Sequence, residues 1–396
     1  CDFPVVALGS SEASRPPEEP SPHIANYVNV LRQEMLAYRG GDRGDRSGRA
    51  PCSPLKTVFF GGGTPSLTPP SQLERVLETI DEVFGIAPDC EISIEADPGT
   101  FDRQKLRDFT SLGVTRVSMG VQSFDQRLLE LCGRSHSVRD VYQAIEDMHA
   151  VGPGSWSLDL MFGLPHQTLD IWHASLSEAM KADPDHVSCY DLQIETGTPF
   201  AKWYEVGEAP LPEESLGADF FTAASQRLRA AGYRHYELSN YAKDGHESRH
   251  NLTYWHNEPF YAFGLGSTSY IHGARTKRPK KLREYFEWVE GGQPGISAPA
   301  ADPDRTAMDA QRESREDLLL DTIMLSLRLS EGLRVRGLDE TFGIPDVERK
   351  IWRAVEDYVA RGLVVVAGDR ISLSDPEGLL LSNTIISAIF AALDED

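Results

Sequence analysis

Apolar and polar positions along the chain switch repeatedly between two periods. Short apolar runs, beginning with Thr57-Val58-Phe59-Phe60, alternate with longer stretches in which apolar residues recur at helical spacing. The pattern predicts strands near residues 56–60, 91–95, 114–119, 156–162 and 186–192. It predicts helices near 71–84, 102–112, 125–132, 138–150, 168–182 and 213–231. Ile24, Tyr27, Val28, Leu31 and Met35 mark an earlier helix between loop-like stretches at 10–22 and 39–54. Such alternation implies βα units around a parallel sheet. The first run ends in Gly61-Gly62-Gly63, and a helix is expected to open after Thr68-Pro69-Pro70, with Ser71 as its cap and Glu74 three residues on.

Polar residues sit where several of these strands end: Glu95 and Asp97, Gln122, Asp159, Asp191 and Gln193. In a βα barrel the C-terminal strand ends form the active face, so these residues are expected at one mouth. After about residue 233 the rhythm breaks. Tyr233 to Tyr241 reads as a short strand and turn, followed by a polar, aromatic segment from Gly245 to Trp255. The basic run Arg275 to Lys281 reads as a solvated loop. Asp317 to Leu329 and Glu348 to Arg361 are helical, and Leu363 to Val366 with Arg370 to Leu373 form a hairpin, a winged-helix-like combination. The expected division is a barrel over 1–240, a segment packed on it over 241–290, a linker over 291–312 rich in Gly, Pro, Ala and Asp, and a C-terminal domain over 313–396.

Charge narrows the function. With 39 basic against 61 acidic residues the 396-residue chain carries −22, which argues against non-specific nucleic-acid binding and against an anionic membrane surface. The C-terminal unit is not basic either, which argues against DNA despite its shape. No apolar run is long enough to span a bilayer. The five cysteines (Cys1, Cys52, Cys90, Cys132, Cys189) are scattered and odd in number, unlike a secreted disulfide framework. The sequence opens at Cys1, so any targeting signal is expected upstream of it.

Three glycines at a strand end allow a ligand to approach the backbone closely. The lysine and spacing of a phosphate-binding loop are absent, and so is GxGxxG. A wider set of motifs occurs in order along nearly the whole chain: Cys1-Asp2-Phe3, Gly61-Gly62-Gly63-Thr64-Pro65, Glu95-Ala96-Asp97-Pro98-Gly99-Thr100 and Ser118-Met119-Gly120-Val121-Gln122-Ser123-Phe124. Gly133-Arg134, Asp159-Leu160-Met161-Phe162-Gly163-Leu164-Pro165, Glu195-Thr196-Gly197-Thr198-Pro199-Phe200 and His250-Asn251-Leu252-Thr253-Tyr254-Trp255 continue it. This set resembles the radical S-adenosylmethionine (SAM) proteins of the oxygen-independent coproporphyrinogen III oxidase group, and within them the haem-chaperone branch.

The resemblance implies an α/β fold, a partial (β/α)6 TIM-like radical SAM barrel with a small C-terminal α+β domain. It implies a [4Fe–4S] cluster on a CxxxCxxC motif, with thiolates as soft ligands and one iron open for SAM. Cys1 matches the third cysteine of that motif. The first two would precede the sequence, so the chain as written is expected to assemble no stable cluster. Cys52, Cys90, Cys132 and Cys189 are expected to be ordinary small residues. By the same resemblance Gly62, Gly63 and Thr64 line the methionine end of SAM, Arg134 pairs with its carboxylate, and Glu95, Gln122 and Asp159 serve ribose hydroxyls or the amino group.

Two activities follow from the resemblance. One is a chaperone that binds haem and hands it to acceptor apoproteins. The other is an oxidase that decarboxylates porphyrinogen propionates. Oxidases carry Gly-Cys after the third cluster cysteine, whereas this chain has Asp2-Phe3, and its His250–Trp255 segment resembles the HNxxYW signature of the chaperone branch; both favour the chaperone. His250, with Tyr254 and Trp255, is the candidate haem-contact segment, and His246, His256 and His272 are its rivals. A run with a histidine, common in the family, is here Gly266-Ser267-Thr268-Ser269-Tyr270, a departure that weakens the case for a haem or metal role of that loop. The implied compartment is the cytoplasm, or the mitochondrial matrix or chloroplast stroma of a eukaryote.

Overall fold

Seven strands form the main sheet: β1 (Leu55–Phe60), β2 (Ile86–Ala96), β3 (Arg116–Gln122), β4 (Ser155–Phe162), β5 (His186–Asp191), β6 (Arg234–Glu237) and β7 (Asn240–Ala242). Their order is β1-β2-β3-β4-β5-β7-β6. The computed structural model describes residues 21–41, 53–205, 207–271, 273–292, 311–312 and 314–395. Cys1, Asp2, Phe3, Cys52 and His272 lie outside them. β1 with β2 and β4 with β5 run parallel, and helices follow the strands as the periodicity requires. The class is α/β, a partial barrel with a smaller C-terminal α+β region. Contacts divide the chain into two compact units: Cys1–Val117, Asp147–Gly154 and Pro259–Arg312 in one, Ser118–Glu146, Ser155–Glu258 and Glu313–Asp396 in the other.

In the first unit, the helix Pro70–Phe84 buries Leu73, Val76, Leu77, Ile80 and Phe84 on one face. It starts at Pro70 with Pro69 as N-cap and no side-chain cap, so Ser71 lies inside the first turn and not at the expected cap. Proline is favoured there because its fixed φ suits the helix and its missing N–H is unpaired in that turn anyway. β2 begins well before the alternating stretch: Leu55 pairs with Ile86, and the register shifts before Thr57 meets Glu91. The first helix, Pro22–Gly41, reaches past the expected Tyr38 and buries Glu34 completely. Glu34 accepts from Gly264 N and Tyr285 Oη at 2.9 and 2.7 Å, and from Arg278 Nε at 2.9 Å. Arg278 also donates to Ser269 Oγ at 2.6 Å.

That pair corrects the reading of residues 275–281 as a solvated loop. Arg275 belongs to β9 (Ala274–Lys277), which pairs with β8 (Thr268–Ile271) and with β10 (Gln311–Arg312). Arg278, 5% exposed, is a core residue. A buried charge is tolerated only when paired and hydrogen-bonded, which Glu34, Ser269 and the Thr276 carbonyl supply. Burial, reinforced by Glu34, raises the pKa of the Tyr285 phenol.

In the second unit, Thr168 caps the helix Leu169–Ala182 by accepting from Ile171 N. Its Trp172 is fully buried and donates Nε1–H to Phe220 O at 2.8 Å. In place of the one short strand and turn expected near Tyr233–Tyr241, two short strands, β6 and β7, pair antiparallel. Leu329 bridges to Glu237 and Ser330 N donates to Tyr236 O, so a neighbouring segment covers that strand edge. The C-terminal region holds more than two helices and a hairpin. β12 (Val364–Ala367) and β13 (Arg370–Leu373) are joined by β11 (Leu333–Arg334), in the order β11-β13-β12, and helices Leu338–Phe342, Glu377–Leu380 and Ser382–Asp394 complete it. A two-residue strand leaves no period to read.

Candidate functional site

In the first unit, β1 ends in the glycine turn. Gly62 and Gly63 have φ of +82° and +62°, the left-handed region that side chains disfavour. Among the described residues, a Cβ on Gly62 would meet no heavy atom within 4 Å, so none of them fills the space beside this exposed backbone. A Cβ on Gly61 would run into the Phe59 ring. The turn is tied to the end of β2. Gly62 N donates to Glu95 Oε2 at 2.8 Å, and Thr64 Oγ1 donates to Asp97 Oδ2 at 3.2 Å. Ser66 Oγ accepts from Asp97 N and bonds Thr100 Oγ1 at 2.6 Å. Gly62, Gly63, Thr64 and Glu95 are thus brought together, with Asp97 as an added member of the Glu95-to-Thr100 motif.

In the second unit, Gln122 closes β3 with φ +67°, rare for a residue other than glycine and typical of constrained sites. Asp125 caps the following helix, Gln126–Leu131, and Gly133 at φ +66° turns the chain so that Arg134 Nη2 donates back to Gly120 O at 3.3 Å. Asp159 lies inside β4, with Leu160, Met161 and Phe162 after it, and not at the strand end. Its Oδ2 accepts from Ser118 Oγ at 2.8 Å and its Oδ1 from Ser188 Oγ at 2.7 Å. Hydroxyls from β3 and β5 therefore orient a half-buried carboxylate. The same cross-strand row continues through register: Asp159 opposes Ser188, Ser188 opposes Asn240, and Asn240 opposes Glu237. Glu237 is 2% exposed, and burial pushes its carboxyl up to about 7. Its Oε2 accepts from Ser239 N, while Oε1 is buried with no hydrogen-bond partner among the described residues. Sequence reasoning missed Glu237; only its place at the end of a short strand signalled it. Asp191 does end β5, where burial raises its pKa and Gln193 donates to it at 2.9 Å.

The haem-candidate segment is the helix Arg249–Trp255, capped by Ser248 accepting from Asn251 N. His250 is 8% exposed, and burial lowers its imidazole to about 4, so the ring is neutral near pH 7. Its Nε2 lies 2.7 Å from Tyr254 Oη. Tyr254 is exposed and Trp255 half-buried. Among the rivals, His246 bonds Ser155 Oγ at 3.1 Å and His256 pairs with Glu331 at 2.7 Å. Cys90 and Cys189 are buried and Cys132 partly so, and none of the three forms a disulfide among the described residues. Among the described residues no group of three His, Cys, Asp or Glu side chains could hold a metal.

Residues 49–178 match the radical SAM superfamily, and residues 314–381 match the HemN C-terminal domain. The fold agrees with the coproporphyrinogen III oxidase HemN of Escherichia coli at a TM-score of 0.73, with 20% identity over 93% of this chain and 83% of that one. Fold, glycine turn and C-terminal region thus define a radical SAM protein with a HemN-like architecture. The relatives narrow the class. "Heme chaperone HemW" of Synechocystis is 39% identical over 100% of this chain and 94% of its own length, and that of Bacillus subtilis is 32% identical over 93% and 92%. A mitochondrial radical SAM domain-containing protein 1 of Danio rerio is 29% identical over 86% of this chain and 77% of its own. The chain belongs to the HemW family.

Proposed function

We propose that this chain is a haem chaperone, which binds haem and delivers it to acceptor apoproteins, with SAM and a [4Fe–4S] cluster as its cofactors. The observation that carries the reading is His250, a buried imidazole held neutral, the protonation state that ligates haem iron. Tyr254 and Trp255 on the same short helix add aromatic surface. The relatives in Synechocystis and Bacillus subtilis, both named heme chaperones and matched over more than nine-tenths of this chain, support the same cargo.

For SAM, the open backbone at Gly62 and Gly63 and the hydroxyl of Thr64 suit its methionine end. Glu95, Gln122 and Asp159 supply acceptors for ammonium and ribose donors, and the planar fork of Arg134 suits its carboxylate. Cys1 is the cluster ligand in this sequence. Bound there, the cluster would supply one-electron chemistry toward the sulfonium of SAM. The proposed compartment is the cytoplasm or, in a eukaryote, the mitochondrial matrix or chloroplast stroma; no described helix is long and apolar enough to cross a membrane.

The test is haem binding and transfer by the protein with the first two cysteines of the CxxxCxxC motif supplied upstream of Cys1 and the cluster reconstituted anaerobically. His250→Ala should weaken haem binding and leave the cluster's visible spectrum unchanged. Anaerobic conversion of coproporphyrinogen III to protoporphyrinogen IX with SAM would replace the chaperone reading with the oxidase.

A further inference from the structure

His250 Nε2, the ring nitrogen best placed at the end of the side chain to reach a metal, is already engaged. Tyr254 Oη sits 2.7 Å away, and the two rings meet edge to face with centroids 4.9 Å apart and an interplanar angle of 84°. The pair is one helical turn apart, the spacing at which side chains meet on a helix face. A neutral imidazole has one N–H and one lone pair. Which of the two donates depends on the ring tautomer; in the tautomer with its proton on Nδ1, the phenol hydroxyl donates and the Nε2 lone pair points at Tyr254. The histidine is 8% exposed and the tyrosine 40% exposed, so the hydrogen-bonded pair runs from the interior to solvent.

We propose that Tyr254 is a displaceable cap on His250, a positioning residue that fixes the ligating tautomer and holds its lone pair until a metalloporphyrin takes it. The proposal rests on the assignment of His250 as the haem ligand. In the exchange, the O–H···Nε2 hydrogen bond breaks and an Fe–Nε2 bond forms. The hydroxyl proton stays on the phenol, which turns toward the water it already partly faces, and no redox change is involved. Haem entry is thus coupled to a side-chain movement within one short helix, and release to its reversal.

The experiment titrates ferric haem into the full chain and its variants, following the Soret band at equilibrium and by stopped flow. Tyr254→Phe removes the hydroxyl and keeps the ring. It should tighten haem binding and speed association by about two- to tenfold, the equivalent of one net hydrogen bond lost from the haem-free state, with an unchanged Soret maximum. Tyr254→Leu should do the same, which guards against an effect of ring packing, and circular dichroism establishes that both variants fold. Unchanged or weaker binding in both, alongside a clear loss in His250→Ala, would overturn the cap and keep the ligand. A shifted Soret band in Tyr254→Phe would also overturn it, making the phenolate itself a ligand. Unchanged binding in His250→Ala would remove the ligand assignment instead.

Discussion

Glu34 and Arg278 stand 2.9 Å apart, 244 positions apart in sequence, with side chains 0% and 2% exposed. Their bond joins the helix Pro22–Gly41 to the segment that follows β9. Removing one member leaves a buried charge without its partner, which typically costs about 3–5 kcal/mol. Glu34→Ala should therefore lower the guanidinium unfolding midpoint strongly, and Arg278→Met should do likewise. The double variant Glu34→Leu/Arg278→Met should recover most of the loss, because no isolated charge remains. Additive losses in the double variant would show that the pair acts through packing alone.

Gly62 separates two reasons for needing glycine. Its φ of +82° strains any side chain, while no described residue fills the space beside it. Gly62→Ala should destabilise by about 1–2 kcal/mol, the left-handed penalty. Gly62→Asn should lose less, since asparagine tolerates that region. Equal losses in urea unfolding would point to a hidden steric conflict.

Glu237 makes stability depend on pH. Its folded-state pKa of about 7 lies above the ordinary glutamate value of about 4.3. Between these values the folded protein holds a proton that the unfolded chain releases, so stability falls as pH rises from about 4.3 through 7. The contribution is about 4 kcal/mol at its upper limit. Glu237→Gln should flatten this slope and raise stability at pH 8 relative to the parent. A variant with the parent's pH profile would assign the slope to other groups.

The parts of this molecule legible in the sequence are those that repeat. The strands from β1 to β5 and their helices follow from apolar periodicity, and the glycine turn from a residue run with few conformational substitutes. Glu34 and Arg278 escaped because periodicity counts apolar residues, and a charge is read as solvated until its partner is seen. β10 and β11 are too short to carry a period. Asp159 was legible as a polar residue but was misplaced, since the strand continues beyond it. Ser118 and Ser188 have no chemical flag in a sequence; only register brings their hydroxyls to one carboxylate.

Those hydroxyls give the last prediction. If Asp159 receives a donor of SAM, Asp159→Ala should weaken SAM binding about ten- to a hundredfold in the protein reconstituted with the two upstream motif cysteines restored, the cost of a charge-assisted contact. Arg134→Ala should lose a similar amount, because its guanidinium is assigned to the carboxylate at the other end. Ser118→Ala and Ser188→Ala act only through the orientation of Asp159, so each should weaken binding less. Combined with Asp159→Ala they should add almost nothing, since the group they orient is gone. Calorimetry is the measurement, with haem affinity as control, because haem binding is assigned to His250. Unchanged SAM affinity in both Asp159→Ala and Arg134→Ala would take these residues out of the site. Full additivity of the serine variants with Asp159→Ala would show that the hydroxyls contact the ligand themselves.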